Sequence, residues 1–315
     1  MEIEAAKMSL RVGTRGSLLA RTQTETVAEA LRAARPGLIV TTEIIQTTGD
    51  QRRDVPFAAV GTKGMFVKEI EDALLANRVD VGVHSLKDMP GILPHGLTLA
   101  AYPAREDALD ALISRDGATL ADLPTGATVG TSSTRRQALI RAFRPDLNLI
   151  ELRGNLDTRL RKLDEGQYDA IILACAGLHR LGMDARITER LAPEICLPPP
   201  GQGALAIEAR ADDYETLGLL VPLNDAETIA AVTAERAFQA AIGGGCTVPV
   251  GAYATLHGDI LTLQAVIASP DGSQIVRHTE TGMRDEAEQI GKNVAHVLLD
   301  LGGAELLRLA ESTGE

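Results

Sequence analysis

The amino-acid sequence predicts an α/β fold with two hinged, doubly wound lobes and a small C-terminal α+β domain. Short apolar runs alternate with segments whose apolar residues recur every three or four positions, which is typical of sheets covered by helices on both faces. Two proline-containing segments, Tyr102-Pro103 and residues 197–201, indicate crossings between the lobes. After residue 252 the pattern changes to consecutive strands followed by a helix, which indicates a separate unit.

The elements of the first lobe follow from these patterns in chain order. A helix at residues 17–34 has a core stripe that includes Val27 and Leu31, and a later helix repeats the spacing at Ile70 and Leu74. The strands of this lobe are predicted at residues 10–13, 38–46 and 79–83, with the chain returning at residues 204–208.

The second lobe and the C-terminal domain complete the predicted fold. Strands are expected at residues 128–131, 147–152 and 170–174 in the second lobe. The C-terminal strands, at residues 252–256, 260–268 and 274–279, precede a helix with a stripe from Ile290 to Leu301. We therefore predict domains at residues 1–103 with 204–221, at residues 104–203 and at residues 222–315.

The composition limits what the protein binds and where it acts. Lys plus Arg number 31 and Asp plus Glu number 43, and the formal net charge of −12 argues against general attraction to nucleic acid or anionic membranes. Any anion site must therefore be local. The N-terminal residues lack the apolar core of a signal peptide, and three cysteines without metal-like spacing argue against a disulfide framework or a metal site. We expect a soluble, cytoplasmic protein.

Cys246 follows three consecutive glycines near the end of a predicted helix, and Pro249 comes shortly after it. Glycine lets the backbone adopt positive φ angles and lets a bulky group approach closely, so this thiol is placed to carry a covalent ligand. Glycine followed by proline also commonly ends a helix, and on that alternative the cysteine is incidental. The motif by itself leaves both interpretations open.

A strand runs into a helix at residues 130–136, where the charge has the unfavourable sign for a helix start. Arg135 and Arg136 lie in the first turn, although the helix dipole favours acidic residues there. An external anion would resolve this conflict, because the hydroxyls of Thr131, Ser132 and Ser133 and the two guanidiniums suit a carboxylate or a phosphate. The alternative is a solvated pair of arginines without a ligand.

Other basic residues lie near predicted strand ends, where open α/β sheets bind their ligands. Arg153 ends one strand, Arg159 follows in a helix and Arg15 lies at the first strand-to-helix junction. We expect the arginines to line the rim of a cleft between the lobes, although Arg159 could equally face water. The segment at residues 47–64 lacks an apolar period and is interpreted as a mobile lid.

An acidic residue follows the third predicted strand. Asp88 comes directly after Lys87 and shortly before Pro90. Its carboxylate could point into the cleft and stabilise a positive charge that forms during a reaction. A lone aspartate at such a position is otherwise a turn former.

Five motifs in this order resemble one enzyme family, hydroxymethylbilane synthase, also called porphobilinogen deaminase, over almost the whole chain. They are VHSLKDMP (83–90), VGTSSTRR (129–136), LRGN (152–155), PGQGA (200–204) and GGGCTVP (243–249). The resemblance implies a fold similar to type II periplasmic binding proteins and a monomeric transferase of haem and tetrapyrrole biosynthesis. It also implies a dipyrromethane cofactor in thioether linkage to Cys246.

The resemblance assigns the site residues as well. Asp88 would be the catalytic carboxylate, serving the pyrrole nitrogens and contacting the cofactor. The other implied cofactor contacts are Lys87, Thr131, Ser132, Ser133, Arg135 and Arg136. The implied substrate contacts are Arg15, Ser17, Lys63, Phe66, Arg153 and Arg159. Ala59 stands where the family often has a basic residue in the lid, so this sequence departs from the family there.

By this resemblance the chain would deaminate four porphobilinogen molecules, join them head to tail on the primer and release hydroxymethylbilane by hydrolysis. The residues alone leave two other classes of function open. One is a two-lobe binding module for a small dicarboxylate, in which Cys246 is incidental. The other is a transferase that uses the Cys246 thiol as a nucleophile, although no histidine lies near it in sequence.

Overall fold

The computed structural model describes residues 8–48, 67–243 and 248–312. They form two compact units, with boundaries between Arg105 and Glu106, between Gly203 and Ala204, and between Ile229 and Ala230. The first unit contains the N-terminal part and the return segment that begins at Ala204. The second unit contains the remainder. No helix within the described ranges is both long enough and apolar enough to cross a membrane.

The helices and strands of the described residues are as follows. The strands are β1 (Ser9–Thr14), β2 (Ile39–Ile44), β3 (Val81–Ser85), β4 (Leu97–Ala101), β5 (Asp110–Ser114), β6 (Thr128–Gly130), β7 (Asn148–Ile150), β8 (Ala170–Ala174), β9 (Glu189–Leu191), β10 (Leu205–Arg210), β11 (Val250–His257), β12 (Ile260–Ala268) and β13 (Ile275–Met283). The α-helices are α1 (Leu18–Ala34), α2 (Lys68–Leu75), α3 (Thr134–Phe143), α4 (Leu156–Asp164), α5 (Cys175–Arg180), α6 (Pro193–Cys196), α7 (Tyr214–Leu220), α8 (Ala226–Ile242), α9 (Ala287–Leu298) and α10 (Ala304–Ser312).

The first unit is built on a five-stranded sheet in the order β2-β1-β3-β10-β4. Strands β1, β2 and β3 are parallel, and β10 runs antiparallel to β3 and β4. Both faces of the sheet are covered. Val12 packs with Val27 of α1 on one face. On the other face, Gly13 lies next to Ile45 and to Ile70 of α2. This two-sided burial explains why β1 and β3 are nearly continuous apolar runs.

The second unit repeats this arrangement in the order β7-β6-β8-β5-β9. Strands β6, β7 and β8 are parallel, and β5 runs antiparallel to β8 and β9. Alternate residues of β5 face opposite sides of the sheet, as the period of a strand requires. Leu112 packs with Leu139 of α3, and Ile113 packs with Leu160 of α4.

The second unit also contains the antiparallel sheet β11-β12-β13. Leu263 of β12 packs with Phe238 of α8 and Val294 of α9, whereas Val266 and Ala268 of the same strand join the core formed around Leu139. The small sheet therefore has apolar contacts on both faces. This shared core places residues from Ala230 onward in the second unit, so the separation of residues 222–315 as a domain of their own stays a prediction.

The α/β fold class, with two sheet lobes and a small C-terminal sheet, is confirmed by these elements. Strands β4, β5 and β9 were not predicted. Strands β5 and β9 begin with charged residues, and β4 lies next to the proline-containing crossing at Pro103, so the apolar-run criterion misses them.

Candidate active site

The junction between β1 and α1 carries Arg15 in the first unit. Ser17 caps the helix, and its side chain accepts a hydrogen bond from the backbone N–H of Ala20 at 3.2 Å. Thr14 is buried and donates to the carbonyl oxygen of Ala20 at 3.2 Å. The first turn of α1 contains no acidic residue. These bonds fix the backbone on both sides of Arg15 at the carboxyl end of β1.

Lys87 and Asp88 follow β3 in a short 3₁₀-helix, Leu86–Asp88. Leu86 is buried and accepts a backbone hydrogen bond from Met89, which anchors the turn, while the Asp88 side chain is exposed. Because β1 and β3 are parallel neighbours, Asp88 lies at the same edge of the sheet as Arg15. The structure thus places Arg15, Ser17, Lys87 and Asp88 at one edge of the first sheet.

A buried cluster of titratable groups lies below this edge, on the sheet face that α2 covers. His84 Nε2 and Glu208 Oε2 are 3.1 Å apart, and both side chains are almost fully buried. Burial, together with the charge of Glu208, raises the pKa of Glu71 to about 7. This cluster was not predicted from the sequence, although Glu208, a charged residue inside the apolar strand β10, was a signal for it.

In the second unit, three hydroxyls hold the junction between β6 and α3. Ser133 caps α3 and accepts from the backbone N–H of Arg136 at 3.4 Å. Ser132 donates to the carbonyl oxygen of Leu152 at 2.7 Å, and its hydroxyl accepts from the N–H of Leu152 at 3.2 Å. Thr131 accepts from the N–H of Ser133 at 3.2 Å. The hydroxyls therefore tie the start of α3 to the segment after β7.

Arg135 and Arg136 are buried and both bind Asp110, the first residue of β5. Arg135 Nη2 donates to Oδ2 at 2.7 Å, and Arg136 donates to Oδ1 from Nη2 at 2.6 Å and from Nε at 3.0 Å. Burial alone would raise the pKa of Asp110, but the two guanidiniums hold it well below its usual range. Asp110 thus supplies an internal anion that was not predicted, and the alternative of a solvated pair of arginines is wrong, because both side chains are buried.

Two neutral side chains complete the surroundings of Asp110. Gln202 Nε2 donates to Oδ1 at 2.9 Å, and the Cys196 thiol donates to Oδ2 at 3.2 Å. Burial and the charge of Asp110 raise the pKa of Cys196 to about 12, so its thiol stays protonated and is not a nucleophile at neutral pH. Asp110 was not predicted from the sequence because β5 runs antiparallel to β8. The first residue of β5, and not its last, therefore lies at the edge where the parallel strands β6 and β8 end.

Arg153 and Arg159 lie near the same edge, after β7. Arg153 Nε donates to Glu151 Oε1 at 2.7 Å, and Arg159 Nε donates to the carbonyl oxygen of Gly154 at 2.8 Å. Both side chains are partly buried rather than fully solvated. The structure therefore groups Thr131, Ser132, Ser133, Arg135, Arg136, Arg153 and Arg159 at one edge of the second sheet. Four predicted positions, Ala59, Lys63, Phe66 and Cys246, lie outside the described residues.

The chemistry of this donor set fits a dipyrromethane. Each pyrrole of such a group carries two carboxylates, and the edge offers buried guanidiniums and helix-start hydroxyls that suit carboxylates. Asp110 offsets one of the two positive charges of Arg135 and Arg136, so one remains for a ligand. No group of acidic, histidine or cysteine residues in the described parts of the chain has the arrangement of a metal site.

Two family models match the chain. The model described as porphobilinogen deaminase, dipyromethane cofactor binding domain, matches residues 10–218, and the model of the porphobilinogen deaminase C-terminal domain matches residues 229–300. A porphobilinogen deaminase of Roseiflexus sp. (strain RS-1) is 54% identical over 301 residues, covering 96% of this chain and 99% of the relative. One from Syntrophobacter fumaroxidans is 52% identical over 298 residues, covering 95% and 96% respectively.

Solved structures of more distant proteins align with parts of the chain. The periplasmic VFT2 domain of Bordetella pertussis BvgS gives a TM-score of 0.43 at 15% identity, covering 69% of this chain and 87% of that one. The substrate binding domain 2 of Lactococcus lactis GlnP gives a TM-score of 0.42 at 13% identity, covering 70% and 90%.

Proposed function

Since this chain belongs to the porphobilinogen deaminase family, we propose that its basic residues bind the carboxylates of porphobilinogen and of a dipyrromethane primer, and that Asp88 serves the chemical step. The activity is that of a transferase of tetrapyrrole biosynthesis. It removes ammonia from four porphobilinogen molecules, joins them head to tail on the covalently bound primer and releases hydroxymethylbilane by hydrolysis.

The observation that carries the binding role is the buried pair Arg135 and Arg136, which share one carboxylate, that of Asp110, within the described part of the chain. Each pyrrole brings an acetate and a propionate, so every addition brings two more negative charges. A protein with a net charge of −12 needs a local group of cations to hold such a polyanion. The proposed contacts to these carboxylates are Arg15, Ser17, Lys63, Lys87, Thr131, Ser132, Ser133, Arg135, Arg136, Arg153 and Arg159.

Asp88 is proposed as the catalytic carboxylate. When ammonia leaves the aminomethyl group, it takes the bonding electron pair and leaves a cation on the substrate. A fixed carboxylate stabilises that cation more strongly than it stabilises the neutral ground state, which lowers the barrier. When bound, the dipyrromethane supplies the nucleophilic carbon for the coupling. The anchored turn at Leu86 and Met89 supports this role, because it limits the movement of the Asp88 backbone.

Cys246 is proposed to hold the primer through a thioether, and Phe66 to contact the substrate, on the motif and the family alone. Cys246→Ala should fold, carry no primer and make no hydroxymethylbilane, because the anchor is missing. The intact mass of purified wild type should exceed the mass of its chain by two pyrrole units. Cys175→Ala is the control, because this buried thiol has a pKa raised to about 12, chiefly by burial, and is inert. A Cys246→Ala protein with primer and full activity would contradict the assignment.

We also propose that the protein acts as a monomer in the cytoplasm. Cys175 and Cys196 are buried and not joined in a disulfide, which supports a reducing compartment. Light scattering should give a mass near the 33.3 kDa of the chain, and twice that value would rule out the monomer.

A further inference from the structure

The buried ion cluster around Asp110 carries a net positive charge. Arg135 and Arg136 contribute two positive charges and Asp110 one negative charge, while Gln202 and the protonated Cys196 thiol are neutral. An uncompensated charge in a protein interior is costly unless a further partner pairs with it. In addition, Arg135 Nε is buried and has no hydrogen-bond partner among the described residues.

Asp110 also fixes the direction of both guanidiniums. Arg135 lies between Asp110 and the carbonyl oxygen of Leu197, to which Nη1 donates at 2.6 Å. Arg136 lies between Asp110 and the carbonyl oxygen of Ile172, to which Nη1 donates at 2.9 Å. Because each planar guanidinium is held from two sides, its orientation is set before any ligand binds. Such preorganisation reduces the entropy lost on binding.

The position of Asp110 is itself held through the turn at Gly201 and Gln202. Gln202 Nε2 donates both to Asp110 and to the carbonyl oxygen of Ala108, at 2.9 and 2.7 Å. The N–H of Gly201 donates to Glu235 Oε2 at 2.7 Å, and Glu235 Oε1 accepts from the N–H of Ala254 at 2.8 Å. Glu235 belongs to α8, the helix that ends shortly before the segment containing Cys246.

We propose that Asp110 is a positioning residue, which orients Arg135 and Arg136 toward the carboxylates of the pyrrole primer and leaves the pair a single positive charge for them. This inference rests on the proposed function. Asp110 would touch neither the substrate nor the primer. It sets the orientation and the net charge of Arg135 and Arg136, which are the residues proposed to bind them. Asp110→Asn leaves the pair more positive but loosens the hold on both guanidiniums, so the loss of orientation should weaken primer assembly and raise KM for porphobilinogen, with a smaller effect on kcat of the protein that does carry primer.

The test compares Asp110→Asn with Asp110→Glu and with Asp80→Asn as a matched control. Asp80 is also a buried carboxylate between two arginines, Arg11 and Arg210, but it lies in the first unit and outside the proposed contacts. Its Asn variant should lose comparable stability without affecting the pyrrole site. The proteins are made primer-free, in cells that produce no porphobilinogen, and are then mixed with porphobilinogen. Intact mass follows the gain of two pyrrole units, and thermal unfolding reports stability.

We expect primer assembly to slow at least tenfold in Asp110→Asn, partial recovery in Asp110→Glu, and wild-type assembly in Asp80→Asn. Wild-type primer assembly and a wild-type KM in Asp110→Asn would overturn the inference. An equal loss of primer assembly in Asp110→Asn and Asp80→Asn would overturn it as well. If Asp110→Asn does not fold, Asp110→Glu tests the inference in its place, because glutamate keeps the charge but displaces both guanidiniums. Wild-type primer assembly and KM in Asp110→Glu would then overturn the inference. A wild type that gains no pyrrole mass would instead refute the proposed function, and the inference with it.

Discussion

Asp88 is the residue at which binding and chemistry can be separated. Asp88→Asn keeps the shape of the side chain and removes its charge, so it should lower kcat by roughly 10² or more if the carboxylate stabilises the cation left by ammonia loss. Asp88→Glu keeps the charge and should retain more activity than Asp88→Asn. Single-turnover elongation, followed by intact mass on variants with equal primer content, measures both.

The primer should still assemble on Asp88→Asn, because the arginine pair and Cys246 are untouched. Asp225→Asn is a suitable control. Asp225 accepts a hydrogen bond from the backbone N–H of Thr228 at the start of α8, and it has no proposed role in the reaction. Equal elongation rates for aspartate, glutamate and asparagine at position 88 would leave Asp88 as an ordinary turn residue.

At the scale of single residues, the sequence indicated candidate positions but not their partners in the fold. The unfavourable charge of Arg135 and Arg136 at a helix start correctly marked an unusual site, because local dipole rules apply to any sequence. Asp110 was not predicted, since its contact with these arginines spans 25 and 26 residues of chain and depends on strand direction. Sequence periodicity contains no information about such a contact.

At the scale of elements, the junction of β6 and α3 combines a cap, three hydroxyls and two arginines. Arg136→Leu removes a buried charge-assisted donor and leaves Asp110 paired with Arg135 alone, so the cluster loses its net positive charge. We expect primer binding to weaken by about 1.5–3 kcal/mol, the usual range for a hydrogen bond to a charged group. Primer assembly measured against porphobilinogen concentration tests this, and Arg153→Leu should behave alike.

Arg161→Leu is the control for the loss of one arginine. Its side chain is 64% exposed on α4 and pairs only with the exposed Glu165 in the described structure, so its removal should leave assembly unchanged. Equal effects of Arg136→Leu and Arg161→Leu on primer assembly would mean that the net charge of the protein, and not the junction of β6 and α3, controls it.

Glu71, buried beside His84 and Glu208, makes the stability of the first unit depend on pH. The folded state raises the pKa of Glu71 from 4.5 to about 7, so it binds this proton more tightly than the unfolded chain does. Stability should therefore fall as pH rises from about 4.5 to 7 and level off above, by roughly 3 kcal/mol from this group. Glu71→Gln should flatten that slope in urea unfolding measured between pH 5 and 8.

Glu29→Gln removes an exposed carboxylate from α1 and should leave the slope as in wild type. If the unfolding free energy of Glu71→Gln has the wild-type slope against pH as well, the Glu71 carboxyl group is already ionised in the folded protein at pH 5.

The elements themselves could be predicted where burial on two faces produced apolar runs, as in β1, β3 and β8. β11, β12 and β13 were also anticipated: β12 has the predicted bounds, whereas β11 and β13 each extend beyond the predicted ranges. The short β9, with the sequence ERL, has no such pattern, because an edge strand buries little of its surface. Its existence depends on the neighbouring strand β5.

At the scale of the whole molecule, the small C-terminal sheet and residues 106–203 share a core. Gly272 shows this closeness, since a Cβ atom built on it would lie 2.3 Å from the carbonyl oxygen of Ala138, and its φ is +75°. Gly272→Ala should therefore destabilise the protein by roughly 1–3 kcal/mol, because the backbone of α3 or of the turn must move. Urea unfolding measures the change.

Gly218→Ala is the matched control, because no atom lies within 4 Å of its added Cβ and it belongs to helix α7. Alanine there should raise stability by up to about 1 kcal/mol. Two unfolding transitions, of which only one shifts in Gly272→Ala, would show that the C-terminal sheet unfolds separately, in favour of the predicted three-domain division.

The two large sheets share the same pattern of directions, three parallel strands followed by a reversed one, although the reversed strand comes last in the chain in the first sheet and first in the second. In each, the strand second from the edge leads into a helix that a serine caps, Ser17 in one and Ser133 in the other, with an arginine within two residues. The two junctions therefore share a backbone arrangement but differ in their arginines. Arg15 is half-buried in the first unit, whereas Arg135 and Arg136 are buried around Asp110 in the second. The same strand-to-helix junction can thus present either a single accessible guanidinium or a buried ion cluster, depending on whether a neighbouring strand begins with a carboxylate.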